Sequence, residues 1–388
     1  MKKCLVIKND GLGDLICSSG LISQIAEKFD GKTELLTCVQ NREIAENIIG
    51  LHNIIYVSRD SIATFGIYKE WHSENRLLQN IYNLPYSSAW IDYKAFWRVA
   101  ASRWDTVISL RRYIRLSSGV LMALAHAEKK YCCWQFPTNV DPETMEKMSQ
   151  GWRHIVPVPK TQAMWEPEYY SLFLEEVFGQ SFTQEPRLHI PAANVPELPE
   201  GSIGLIVTYR HPRTWLDGYW VEIVERLLLK GRHVFIFGDY KGRKLLRNTY
   251  AGHPRVHDCC GKLGFLEHFG YFRQMSAILA EDTGLTHLAA LARTKILVLQ
   301  CGRDNGFFFP WSTSNPSYTH TIFYTKDCSG CFWIEGKERC APPKDYMINC
   351  VWHLKPDKVL PYFDKVLAGE RVPGRIELNP RYVNHCEQ

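Results

Sequence analysis

The chain has 388 residues, of which 45% are hydrophobic, 22% are charged and 13% are aromatic. This is the composition of a globular protein with two or three domains, and it excludes a disordered or fibrous chain. The formal net charge of +5 is mild, and no lysine- or arginine-rich tract indicates a nucleic acid partner. No apolar run approaches the ~18 residues of a membrane span, so we expect a cytoplasmic protein.

The N-terminal residues have the pattern of a parallel α/β sheet. Cys4–Lys8 and Glu34–Val39 are predicted strands, and Leu15–Phe29 between them is a predicted helix. A polar turn with Gly11-x-Gly13 follows the first strand, as in dinucleotide-binding folds. The third glycine position of that motif is Ile16, however, so NAD binding is a weak alternative.

The aromatic stretch 60–104 is predicted to be irregular, whereas Trp104–Leu110 is a predicted strand. Between Asp92 and Arg115 six residues are basic and two are acidic. Such a stretch could contact an acidic acceptor or a membrane surface, or it could form an ordinary solvated face.

A second α/β pattern follows the proline-rich residues 191–201, which we predict to be a linker. The predicted strands there are Ile203–Val207, His233–Phe237 and Val256–Asp258, and the predicted helices are Tyr219–Lys230 and Leu266–Met275. The predicted organisation is an N-terminal domain over 1–190, a second domain over 202–355, and a helix with a loose tail over 356–388.

The most informative stretch lies between the predicted strands Ala277–Ala280 and Ile296–Leu299. Asp282 and Thr283 can cap the helix that follows, and the N–H groups and dipole of a helix N-terminus suit a phosphate. His287 lies about one turn into this helix, so it either faces the same ligand or is a buried core histidine.

This stretch resembles the signature of glycosyltransferase family 9, the bacterial ADP-heptose heptosyltransferases. The family motif, Asp-(Ser/Thr)-Gly-x-x-His-x-x-Ala, is matched in full by residues 282–290. The resemblance implies a GT-B fold, in which two Rossmann-like doubly wound domains face each other across a cleft. It also implies an inverting transfer of heptose from ADP-heptose to a glycan, lipopolysaccharide or protein acceptor.

The resemblance assigns roles in the first domain. Leu12-Gly13-Asp14 after a strand that ends in Lys8 is similar to the family's opening pattern. It implies that Asp14 is the general base and that Lys8 and Gly13 lie on the acceptor side. A helix cap is the alternative role for Asp14.

The resemblance also assigns a donor site in the second domain. It implies that Thr208 and Arg213 contact the diphosphate and that the main chain at Leu263 contacts the adenine. The remaining donor-site residues would be Asp282, Thr283, Gly284 and His287. Relatives bind the ribose with an acidic residue after a Phe-Gly turn. Here Asp239 follows Gly238 directly, a register that differs from the family pattern, so the identity of the nucleotide stays open. The chain has no Asp-x-Asp sequence, so we expect catalysis without a metal ion.

Four of the thirteen cysteines form a cluster, Cys328-x2-Cys331-x8-Cys340-x9-Cys350. This spacing suits a tetrahedral thiolate site for structural zinc or iron better than disulfides in a cytoplasmic protein. The cluster resembles the iron-binding cysteine finger of the autotransporter heptosyltransferases. After it, Lys355–Leu367 is a predicted helix that crosses back to the first domain in GT-B folds.

Two other classes of function remain open from the sequence. A protein that binds a nucleotide without transferring a sugar would not need the carboxylate of Asp14. An NAD-dependent enzyme is disfavoured by Ile16, as argued above.

Overall fold

The computed structural model describes residues 2–58, 86–114, 116–134, 136–137, 146, 149–158, 164–207, 215–239, 244–302, 306–311, 318–324 and 349–378. The chain divides into two compact units, one of residues 1–162 and 167–190, the other of residues 163–166 and 191–388. Among the described residues, no helix is both long enough and apolar enough to cross a bilayer.

The first unit is built on a parallel sheet of six strands in the order β3-β2-β1-β4-β6-β8. All four residues of its inner strand, β1, are fully buried. Burial on both faces is typical of parallel sheets and explains why β1 is a continuous apolar run. The strands are β1 (Cys4–Ile7), β2 (Thr33–Cys38), β3 (Asn53–Val57), β4 (Arg103–Ser109), β6 (His126–Cys132) and β8 (Arg153–His154), with a separate pair of β5 (Tyr113–Ile114) and β7 (Phe136–Pro137).

The first long helix begins earlier than the sequence indicated. Gly11 has an extended backbone and is the N-cap, so the helix starts at Leu12. The carboxylate of Asp14 accepts a hydrogen bond from the N–H of Gly11 at 2.8 Å, which satisfies one of the donors left over at a helix start. The helices of this unit are α1 (Leu12–Lys28), α2 (Arg42–Ala45), α3 (Tyr86–Ala101), α4 (Leu116–Leu124) and α5 (Glu166–Phe178).

The prediction that 60–104 is irregular is wrong for its second half, which contains α3. Asp92, on this helix, is fully buried, and its carboxylate accepts hydrogen bonds from the N–H of Ser58 at 2.7 Å and from its hydroxyl at 2.5 Å. This contact attaches α3 to the end of β3. The aromatic residues of α3 recur at helical spacing in the sequence, a period that the prediction overlooked. Residues 59–85 lie outside the described part of the chain.

The second unit is built on a parallel sheet of seven strands in the order β11-β10-β9-β12-β13-β14-β15. Its strands are β9 (Ile203–Ile206), β10 (Val234–Phe237), β11 (Val256–Asp258), β12 (Ala277–Glu281), β13 (Ile296–Leu299), β14 (Thr319–Tyr324) and β15 (Arg375–Leu378). Its helices are α6 (Asp217–Leu229), α7 (Lys244–Thr249), α8 (Phe265–Gln274), α9 (Gly284–Leu291), α10 (Asn349–Trp352) and α11 (Pro356–Ala368).

Two predictions for the C-terminal residues 355–378 are wrong, one about the helix and one about the tail. The apolar face of α11, which includes Val359 and Phe363, is buried in the core of the second unit, so this helix belongs there and not to the first domain. The tail after Gly369 is not loose as far as residue 378. Residues Arg375–Leu378 form β15, which pairs in parallel with β14 and extends the sheet by one strand.

Candidate functional site

The turn from β12 into α9 lies at the carboxyl edge of the second sheet, where ligands bind in open α/β folds. Thr283 is the N-cap residue, with an extended backbone. Its hydroxyl lies 3.2 Å from that of Thr286, which donates to the carbonyl of Glu281 at 2.6 Å. The side chain of Thr283 makes no cap hydrogen bond to α9, and the binding of a phosphate by the first N–H groups of this helix stays a prediction.

The end of β12 is also attached to the loop predicted to hold the diphosphate. The buried carboxylate of Glu281 accepts a hydrogen bond from the main-chain N–H of Trp215. The indole of Trp215 donates to the carbonyl of Leu354 at 2.6 Å. Thr208 and Arg213, the predicted diphosphate ligands in this loop, lie outside the described residues, and their roles stay predictions.

His287 lies in the first turn of α9 and is only 4% exposed. The indole N–H of Trp311 donates to its Nδ1 at 3.0 Å, and the ring of Phe309 stacks on the imidazole at a centroid distance of 4.3 Å. Its Nε2 lies 3.9 Å from Oδ1 of Asp282. The imidazole is therefore buried, as the core-histidine alternative expected, and its contact with a ligand stays a prediction.

The loops after β10 and β11 are joined to each other near the predicted adenine contact. The N–H of Gly261 donates to the carbonyl of Gly238 at 3.0 Å. A Cβ on Gly238 would lie 2.0 Å from the carbonyl oxygen of Val207, so only glycine fits this turn. Leu263 follows and is half-buried, whereas Asp239 is exposed. The structure brings Leu263 and Asp239 to one edge of the sheet, but their ligand contacts stay predictions.

In the first unit, Asp14 lies in the first turn of α1 beside Gly13, which is buried. Burial is the largest cause that raises the pKa of Asp14, and the negative charge of Asp10 adds to it. The charges of Lys8 and Arg111 and the N–H of Gly11 act in the opposite direction, and the net effect is a raised pKa. A raised pKa suits a carboxylate that must accept a proton, so the helix cap contact does not exclude catalysis.

Lys8 is fully buried beneath this carboxylate pair. Its Nζ lies 3.3 Å from Oδ2 of Asp10 and 3.2 Å from the hydroxyl of Tyr170. Arg111, which is 4% exposed, approaches the other oxygen of Asp10 to 3.7 Å and donates to Oδ1 of Asn9 at 2.8 Å. Asp10 therefore lies between two buried cations, and Lys8 is placed to act through Asp10.

Sequence reasoning missed Arg111 and Tyr170, because nothing in the chain links them to this turn.

Of the four cluster cysteines, only Cys350 lies in the described part of the chain. It is buried at the start of α10, and its Sγ lies 3.5 Å from that of Cys301, which follows β13. Zinc–sulfur bonds of ~2.3 Å in a tetrahedral site place two sulfurs ~3.8 Å apart, so this pair fits a thiolate metal site. The described residues contain no group of three or more metal-binding side chains. The predicted cluster thus stays a prediction, and Cys301 is a nearby thiol that the spacing rule missed.

Two Rossmann-like parallel sheets of this kind define the GT-B class of glycosyltransferases. Many solved structures share the fold, and three of them are glycosyltransferases of known name. E. coli heptosyltransferase WaaC with ADP is 14% identical over 95% of this chain and 98% of that chain, with a TM-score of 0.58. E. coli ADP-heptose lps heptosyltransferase II is 15% identical over 94% of this chain and 98% of that chain, with a TM-score of 0.59. The iron-containing dodecameric glycosyltransferase TibC from enterotoxigenic E. coli H10407 is 14% identical over 94% of this chain and 75% of that chain, with a TM-score of 0.50.

The family identified from the motif is confirmed by comparison with family models. Residues 202–339 match the model of glycosyltransferase family 9 (heptosyltransferase), and this segment contains the motif. No curated protein sequence matches the chain significantly.

Proposed function

We propose that this protein is an inverting glycosyltransferase that transfers heptose from ADP-heptose to a glycan, lipopolysaccharide or protein acceptor. The observation that carries the proposal is the turn Asp282–His287, which places helix N–H groups and a histidine together at the carboxyl edge of β12. It lies in the segment that matches the family model. The similar structures include one named for ADP-heptose and one that contains ADP, which supports this choice of donor.

The second unit would bind the donor. The first N–H groups of α9 and the imidazole of His287 would stabilise the negative charge that develops on the departing diphosphate. Thr208 and Arg213 would contribute from the preceding loop, and an arginine can bind a phosphate through two parallel hydrogen bonds. These groups would supply the positive charge that a metal ion supplies in other transferases, so we propose metal-independent catalysis.

The first unit would bind the acceptor and remove its proton. The acceptor hydroxyl would attack the anomeric carbon opposite the bond to the diphosphate, which inverts the configuration at that carbon. Asp14 would accept the hydroxyl proton as this bond forms. Gly13 would lie beside the acceptor, and Lys8 would support the site through its contact with Asp10.

Two alternatives compete with this proposal. One is a nucleotide-sugar-binding protein without transferase activity, and the raised pKa of Asp14 speaks against it, because pure binding needs no base. The other is a transferase that uses a different nucleotide sugar. It is favoured by the exposed position of Asp239, next to the turn where relatives hold the ribose.

The proposal includes a structural zinc or iron ion held by Cys328, Cys331, Cys340 and Cys350. The iron-containing description of TibC supports it. Bound there, the ion would order the segment before α10 and take no part in catalysis. We also propose a cytoplasmic location with peripheral contact at the inner membrane, on the basic and aromatic composition of residues 92–115.

Two measurements test the function. Calorimetric titrations with ADP, UDP, GDP and NAD identify the nucleotide, and we expect ADP to bind most tightly. Mass spectrometry of candidate acceptors after incubation with ADP-heptose should then show the mass of one added heptose, which the Asp14→Asn variant should not produce. Binding of ADP without product from any acceptor class would favour the binding protein, and tighter binding of UDP or GDP would change the donor.

A further inference from the structure

The contact between Trp311 and His287 determines which ring nitrogen of the histidine carries the proton. An indole N–H can only donate, and it points at Nδ1 of His287 with an N···N distance of 3.0 Å. Nδ1 must therefore present its lone pair. In a neutral imidazole the proton is then on Nε2, the nitrogen that lies 3.9 Å from Oδ1 of Asp282 at the start of α9.

The indole is held firmly enough to impose this choice. Trp311 is 6% exposed, and its main-chain N–H donates to the hydroxyl of Thr319, the first residue of β14, at 2.9 Å. Its ring packs against that of Trp165 at a centroid distance of 5.9 Å. Phe309, two residues earlier, stacks on the imidazole and limits its rotation. Turning the ring over would replace the buried hydrogen bond with an unsatisfied donor, which is costly.

We propose that Trp311 is a positioning residue that holds His287 as the Nε2–H tautomer, so that Nε2 donates a hydrogen bond to the diphosphate of the donor. This inference rests on the proposed function. Phosphate oxygens only accept hydrogen bonds at neutral pH, so the opposite tautomer would direct a lone pair at an anion. A neutral N–H donor, with the α9 N-terminus beside it, would then bind the departing diphosphate as a preorganised group.

The tautomer can be read directly by NMR of protein labelled with ¹⁵N at histidine, because protonated and unprotonated ring nitrogens differ strongly in chemical shift. The His287→Gln variant assigns the signals. We expect the unmodified protein to show a protonated Nε2 at His287, and Trp311→Phe to shift the ring towards a mixture of tautomers. Trp165→Phe is the matched control. Phenylalanine keeps an aromatic ring against Trp311 and removes only an indole N–H that is buried and has no hydrogen-bond partner in the described structure, so the His287 signals should stay unchanged.

A protonated Nδ1 in the unmodified protein would overturn the proposal, and this result needs no variant to fold. An unchanged His287 spectrum in Trp311→Phe would overturn it as well. The same three proteins titrated with ADP give the second readout. We expect Trp311→Phe to weaken ADP binding about tenfold or more, the range of a hydrogen bond to a charged group, and Trp165→Phe to bind normally.

The NMR spectra and the ADP titrations together distinguish a failure of this inference from a failure of the proposed function on which it rests. If the unmodified protein does not bind ADP, the proposed donor is wrong and the role of Trp311 in binding it is overturned, while the spectrum still decides the tautomer. If the unmodified protein binds ADP and Trp311→Phe binds it equally well, the donor stands and the positioning role is wrong.

Discussion

Asp14 combines a structural contact with a perturbed acidity. Its carboxylate accepts the N–H of Gly11 and so helps to start α1, while burial and the charge of Asp10 raise its pKa. A cap alone needs no neighbouring carboxylate. The presence of Asp10, held by Lys8 and Arg111, indicates that the protein maintains a charge beside Asp14 at some electrostatic cost.

We predict that Asp14→Asn leaves ADP binding nearly unchanged and lowers turnover by ~10²–10⁴-fold, the range for loss of a general base. Asparagine keeps a carbonyl oxygen for the Gly11 N–H, so α1 should still form. Product formation and calorimetric binding measure the two effects. Turnover close to that of the unmodified protein would leave Asp14 with the cap role alone.

The neighbours of Asp14 should shift the pH dependence in opposite directions. Asp10→Asn removes a charge that raises the pKa of Asp14, so the base stays ionised to lower pH and the acidic limb of kcat/KM moves down. Lys8→Met removes a charge that lowers this pKa, so the acidic limb moves up. Rate profiles over the acidic range check the signs. A shift of both variants in the same direction would show that Asp10 and Lys8 do not act on Asp14 through their charges.

Helix α1 approaches the chain at residue 185 so closely that no side chain fits between them. A Cβ on Gly20 would lie 1.7 Å from the carbonyl oxygen of Glu185, a main-chain atom that cannot move independently. Glycine at this point therefore allows the return segment of the first unit to pack directly on the helix. The cost of a glycine inside a helix, ~1 kcal/mol, is offset by that packing.

We predict that Gly20→Ala destabilises the first unit by about 3 kcal/mol, at the upper end of the range for overpacking. Gly218→Ala, in the first turn of α6, is the control, because a Cβ there has no atom within 4 Å. It should be neutral or slightly stabilising, since alanine is the better helix former. Urea unfolding followed by circular dichroism compares the two. Equal midpoints would mean that α1 and residue 185 separate easily.

Cys350, at the start of α10, lies close to Cys301, which follows β13. The next prediction concerns metal binding near these two elements. We expect the purified protein to contain about one equivalent of zinc or iron, and Cys331→Ser to lose the metal and stability before it loses intrinsic activity. If the ligands are the four cluster cysteines, Cys301→Ser should retain the metal.

Elemental analysis of protein prepared without chelators decides this prediction. Less than a tenth of an equivalent of zinc plus iron, with freely titrating thiols at the cluster, would rule out the site. Loss of metal in Cys301→Ser, with retention in a cluster variant, would replace one predicted ligand by Cys301.

At the scale of the whole molecule, the two sheets carry different parts of the proposed reaction. The proposed donor motif lies in the second unit, and Asp14, the proposed base, lies in the first. A ligand that binds one folded unit stabilises that unit by mass action, by ~2.7 kcal/mol at a concentration of 100 Kd.

We therefore predict that ADP protects the second unit selectively from amide hydrogen exchange. Peptides that cover the β12–α9 turn and residues 306–311 should exchange more slowly with ADP, and β1 should change little. Mass spectrometry of exchange in the intact chain measures this pattern. Protection confined to the first unit would place the nucleotide site elsewhere and contradict the donor assignment.

Much of the fold follows from local chemistry and could be predicted. Buried parallel strands such as β1 and β13 are apolar throughout, and they alternate with helices at short intervals. Errors arose where the cause was not local. The start of α1 depends on a cap contact, and β15 has too short a pattern to indicate which sheet it joins. Helix α3 was missed for another reason, because the helical spacing of its aromatic residues was overlooked.

The sequence by itself determined the α/β class, the division near residue 190 and the family motif, because each depends on residues close together in the chain. Tertiary structure alone decided which partners set the chemistry of the motif residues. Trp311 reaches His287 across 24 positions, and Tyr170 reaches Lys8 across 162. No periodicity or spacing rule connects such positions, because their proximity arises only when the strands and helices that carry them pack together. The tautomer of His287 and the acidity of Asp14 depend on that packing.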